Sequence, residues 1–153
     1  MSRRLWIAPL RAALLPVLPA TAADELPAAE AVQARRAGFK KMGGAMRFIN
    51  DQLKGESPDL ARMSAAAADL VRLSPEVARW FPAGSGADEG FDTDALDYVW
   101  KQRAKFDELT ARLVTGSKAL ADALAGGDMT SVRTQVRTVG ENCGACHKSF
   151  RAD

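Results

Sequence analysis

At 153 residues, 47% of them hydrophobic, the chain can build one domain with a real core and hardly two. The formal net charge of +2 includes Arg3, Arg4 and Arg11 of an apolar leader, whose removal takes Lys+Arg from 21 to 18 against 19 Asp+Glu, a net of about −1. No stripe of Lys and Arg interleaved with aromatics remains, so we expect no nucleic-acid partner.

In the leader, Arg3 and Arg4 precede the run "LWIAPLRAALLPVLPA", and Ala20-Thr21-Ala22 offers the small residues that a signal peptidase reads. We expect a signal peptide over 1–22, cleaved after Ala22 or Ala23, and one mature domain over 23–153. The run is too short, and too interrupted by Pro9, Arg11, Pro16 and Pro19, for a stable membrane anchor, so no membrane association is expected of the mature form.

Beyond the leader, Val32, Phe39, Met42, Met46, Ile49 and Leu53 mark one face of a helix from Leu26 to Leu53, with Gly55 to stop it. Two glycines in mid-helix, Gly43 and Gly44, predict that something bulky approaches the backbone there, or that helices pack through small residues. Ser57-Pro58 reads as the cap and first residue of a second helix, with Leu60, Met63, Ala67 and Leu70 inward and an end near Ser74-Pro75. "FPAGSGADEGFDTD", from Phe81 to Asp94, has no period and reads as the one long loop.

A third helix is predicted from about Leu96 to Ala125 on Phe106, Leu109, Leu113, Leu120 and Leu124, ended by "GGD" at 126–128. Asp128 caps a fourth, whose stripe is Val132, Val136, Val139, Cys143, Cys146 with His147, and Phe150. No segment alternates with period two. The fold class is therefore all-α, an antiparallel four-helix bundle.

That last stripe holds the only two cysteines and the only histidine of the chain, as "CGACH". C-x-x-C-H is the attachment signature of c-type haem. On a helix Cys143, Cys146 and His147 share a face, so two thioethers and an imidazole can converge on one planar ring. A disulfide would leave His147 unexplained and is poorly served by residues three apart in a helix. A thioredoxin-like pair lacks its βαβ context, and a structural zinc wants a fourth ligand. With one histidine a bis-histidine haem is excluded, which leaves methionine, lysine or nothing at the sixth position.

Together with "ARRAGFKKMGGAM", "FPAGS", "VWKQRAKF", "GGD" and "VGENCGACHKSFR", in that order, the chain resembles the cytochrome c prime family. The resemblance implies one covalent haem c near the C-terminal helix, thioethers at Cys143 and Cys146, and His147 as iron ligand. It implies that Arg35 pairs with a haem propionate, that Phe39 shields the distal side, that Phe81 and Trp100 lie near the haem, and that Arg151 stands by the proximal face. It further implies a periplasmic electron-transfer protein, not an enzyme, with a redox protein as partner, five-coordinate iron able to bind NO or CO, and a homodimer through the first two helices. A branch similar to cytochrome c-556 puts methionine at the distal position. Here the alternative ligand would be Met42, one turn beyond Phe39, if the first helix slid or rotated. A haem-free helical interaction protein is the reading from a different class.

Overall fold

The computed structural model describes residues 26–152; the expected signal peptide lies outside them. Four long helices carry the fold: α1 (Ala28–Gln52), α2 (Leu60–Leu73), α4 (Arg103–Gly126) and α5 (Met129–Phe150), with a one-turn α3 (Tyr98–Lys101) before α4. They stack as the expected four-helix bundle around Ile49, Met63, Leu70, Phe106, Leu120, Val132 and Val139, all nearly inaccessible to solvent. Among the described residues there is no strand, only an isolated antiparallel bridge between Ala95 and Arg151. None of the described helices is long and apolar enough to cross a membrane.

The ends of the helices follow local chemistry. Asp128 caps α5 as expected, accepting a hydrogen bond from the Thr130 amide at 3.0 Å, and Gly127 closes α4 in the left-handed conformation with φ 71°. The cap of α2 is Asp59 rather than Ser57, because its carboxylate reaches the Arg62 amide (3.0 Å) while the Gln52 side chain accepts from its own amide (2.8 Å). The third expected helix is broken at Gln102 (φ −119°, ψ 44°). Tertiary bonds override its propensity: Trp100 Nε1 donates to the Pro82 carbonyl (2.9 Å) and Arg103 to those of Phe81 and Ala78 (3.2 Å each).

After α2 the chain tightens into a 3-10 stretch, Ser74–Trp80, that buries Ser74, Val77 and Trp80 on one edge at the three-residue period of that helix. On α1 the fully buried face runs through Arg35, Gly38, Met42, Ala45 and Ile49. Phe39 and Met46 stand beside it, only partly covered. The apolar pattern had put both on the inner stripe, because Gly38 and Ala45 are too small to register as hydrophobic.

Gly38 is where a bulky group meets the α1 backbone. A Cβ there would fall 2.1 Å from Cη2 of Trp80, whereas at Gly44 it would meet nothing within 4 Å. Gly38→Ala is therefore expected to destabilise by about 1–3 kcal/mol through overpacking. Gly44→Ala is expected to stabilise by about 0.5–1 kcal/mol. Urea unfolding midpoints of the two variants check the opposite signs.

Candidate functional site

Between α1, α4, α5 and the segment after Trp80 lies a cavity of about 620 Å³. Phe39, Met42, Gly43 and Met46 line it from α1, and Cys143, Cys146, His147 and Phe150 from α5. Phe106, Leu109 and Leu113 of α4 complete an apolar wall. The size is that of a site for one small-molecule or cofactor-sized ligand.

On α5 the two cysteines are half-buried and unbridged. Burial pushes both thiols up, Cys146 to about 11 with a further contribution from Cys143, so both are neutral at neutral pH. Burial, then the charge of Arg151, lowers the pKa of His147 and leaves its imidazole neutral, the form that ligates metal. Just before the motif, Asn142 Nδ2 donates to the Leu109 carbonyl at 3.0 Å and ties this turn of α5 to α4.

Arg35 is 3% exposed and lines the cavity from α1. Its guanidinium donates to the Ser85 carbonyl (2.6 Å), Ser85 Oγ (3.2 Å) and Thr93 Oγ1 (2.7 Å), and sits 4.9 Å from the centre of the Phe81 ring. Among the described residues it meets no carboxylate. Burial and then the neighbouring Arg36 charge lower its pKa, yet arginine stays cationic, so a charge is held at the cavity without a counterion. A cofactor carrying carboxylates would supply one.

Phe39 is 37% exposed and meets Trp80 edge to face (centroids 5.4 Å) and Phe81 at a tilt (6.2 Å). Phe81 packs on Phe106 (4.9 Å) and Phe106 on Phe150 (5.4 Å), an aromatic chain that joins α1 to α5. Trp100 stands one layer behind, 6.3 Å from Phe81, outside the cavity lining. The other residues singled out from the sequence, Arg35, Phe39, Phe81, Cys143, Cys146, His147 and Arg151, all line the one cavity. Sequence reasoning missed Met46, Phe106 and Phe150 as lining residues, although their place in the apolar stripes pointed inward. It also missed Ser85 and Thr93, which lie in an aperiodic loop and carry no pattern.

Two thiols and one neutral imidazole on a single helical face, opening onto an apolar cavity with a buried cation, fit a covalently held haem. A helical bundle with that site defines the class of four-helix c-type cytochromes. Residues 30–151 match the family described as Cytochrome C', and the chain belongs to the cytochrome c' family, whose members carry covalent haem c. It is 35% identical over 124 residues to cytochrome c' of Rhodopseudomonas palustris (80% of this chain, 82% of the relative). It is 33% identical over 119 residues to cytochrome c-556 of Agrobacterium tumefaciens strain apple 185 (77% and 91%).

Among solved structures, cytochrome c' from Thermochromatium tepidum superposes with a TM-score of 0.77 at 27% identity, covering 84% of this chain and 99% of that one. A cytochrome c' described as having ligand-controlled dimer dissociation superposes at 0.76 with 25% identity (84% and 98%). A carbon monoxide-bound variant from Alcaligenes xylosoxidans, at 0.74 and 24% identity (85% and 100%), shares the fold.

Because Arg35 joins α1 to the loop through Ser85 and Thr93, Arg35→Met should cost about 1.5–3 kcal/mol, the range for hydrogen bonds to a charged group. Limited proteolysis should then open the 82–95 segment first, and cleavage elsewhere in the chain first would contradict the tether.

Proposed function

We propose that the mature protein is a periplasmic electron-transfer cytochrome, with no turnover chemistry of its own, whose five-coordinate iron also takes up NO or CO. In this reading Cys143 and Cys146 hold the haem as thioethers, His147 is its only protein ligand, and Arg35 neutralises a propionate. Bound haem iron supplies reversible one-electron chemistry and, with one position open, affinity for diatomic gases. The observation that carries the reading is the α1 wall of the cavity. Phe39 stands there with a phenyl ring, which cannot ligate, and the chain has no second histidine.

Phe39 then acts as a steric gate, Phe81 and Phe106 keep water from the ring plane, and Arg151 adds positive charge beside His147, which favours the reduced state more than a carboxylate would. Trp100 supports Phe81 from behind. The solved cytochrome c' with ligand-controlled dimer dissociation supports a homodimer for this chain too, and the family resemblance suggests that it forms through α1 and α2. The leader over 1–22 supports export, and a redox protein is the expected partner.

A second reading is favoured by one observation: Met42, 6% exposed, lines the same cavity one turn from Phe39. As sixth ligand it would make the protein a six-coordinate carrier like cytochrome c-556, indifferent to gases. Phe39→Ala separates the two. Under the gate reading CO association rises roughly tenfold, equivalent to about 1.4 kcal/mol of removed steric work. Under the second reading CO association stays slow in Phe39→Ala and rises only in Met42→Leu.

A further inference from the structure

Trp80 never touches the cavity. It closes the 3-10 stretch Ser74–Trp80, is 5% exposed, and is held in place by the same three-residue period that buries Ser74 and Val77. Its indole occupies the space that a side chain at position 38 would need: Cη2, Cζ2 and Cζ3 lie 2.1, 2.6 and 2.7 Å from where a Cβ of residue 38 would stand. Only glycine admits that approach. The ring thus lies flat against the α1 backbone one residue before Phe39, and Phe39 meets it edge to face at 5.4 Å with an interplanar angle of 86°.

Phe39 is therefore bounded on two sides. Trp80 packs against it at one edge and Phe81 lies 6.2 Å away, itself in contact with the Arg35 guanidinium (4.9 Å) and with Phe106 (4.9 Å). Phe39, 37% exposed, also lines the cavity, where the haem of the proposed function would sit. With Trp80 and Phe81 both packed against it, the resting orientation of the Phe39 ring depends on both neighbours.

We propose that Trp80, seated on Gly38, is a positioning residue that sets how readily Phe39 yields, so that gas access is governed by the Gly38–Trp80 pair and not by the size of Phe39 alone. The inference rests on Phe39 being the gate of the proposed function. Trp80→Leu removes the backstop, Trp80→Phe shortens it, and Gly38→Ala displaces it without altering the indole.

The test is CO association to the reduced holoprotein in Trp80→Leu, Phe39→Ala and the double variant, read beside the proton resonances of the Phe39 ring in the diamagnetic CO adduct. Loss of one edge-to-face pair is expected to raise the rate about two- to tenfold in Trp80→Leu, with Trp80→Phe in between. On the Phe39→Ala background Trp80→Leu should change the rate by less than about twofold, because the backstop has nothing left to hold. The Phe39 resonances should shift in Trp80→Leu and in Gly38→Ala alike.

An unchanged rate and unshifted Phe39 resonances in Trp80→Leu, with Phe39→Ala still fast, overturn the role of Trp80 and leave the gate standing. Equal increments on both backgrounds also overturn it, since they mean that Trp80 only loosens the bundle. A Phe39→Ala rate equal to wild type removes the gate itself, and the backstop with it.

Discussion

Everything at the cavity is subordinate to the register of one helix. Cys143, Cys146 and His147 are the only residues of their kinds in the chain, and their spacing puts all three on a single face of α5. Covalent attachment leaves the cofactor no freedom to seek a better pocket, so the remaining helices must bring the pocket to it. The rotation of α5 about its axis is therefore fixed tightly: Asp128 caps its start, Asn142 ties its middle to the Leu109 carbonyl, and its last turn is stitched to the preceding loop through Leu96 and Phe150 (2.9 Å). Val139 also packs closely on α4, where a Cβ at Gly116 would come within 3.3 Å of its Cγ2.

The second constraint is electrostatic. Burying a guanidinium with only hydroxyls and a carbonyl around it is costly unless a counterion arrives, and Arg35 does this at the edge of the cavity. The same hydrogen bonds draw the 82–95 segment onto α1, and the exposed Arg36–Asp92 pair (2.6 Å) adds little to that beyond geometry. Loop, cation and cavity thus form one unit, and cofactor binding at Arg35 would bear directly on the order of the loop. The aromatic chain from Trp80 through Phe39, Phe81 and Phe106 to Phe150 supplies the matching apolar half of the pocket.

Much of this was legible in the residues. The steps of three and four gave the four long helices and their caps at Asp128 and Gly127, and C-x-x-C-H gave the cofactor. What escaped was set by tertiary contacts that have no periodic signature. The break at Gln102 exists because Trp100 and Arg103 bond to carbonyls of the 78–82 stretch. The expected stripe of α1 holds, with Val32, Met42, Ile49 and Leu53 buried and Phe39 and Met46 on the cavity wall, but Gly38 and Ala45, which carry no hydrophobic signal, also lie on its buried face. Of the two mid-helix glycines, Gly43 lines the cavity, while the glycine that admits an indole is Gly38, which no pattern marks. Ser85 and Thr93 could be recognised as partners of Arg35 only once the loop was folded against it.

The proposed function requires that α1 meet the iron with Phe39 while Met42, on the same cavity wall, stays off it. Absorption spectra of the purified protein, oxidised and dithionite-reduced, before and after CO, test it most directly. A broad reduced Soret band without sharp α and β bands, shifting strongly with CO, is the predicted result for a single His147 ligand behind Phe39. Sharp, split α and β bands that CO leaves unchanged would contradict it and transfer the sixth position to Met42.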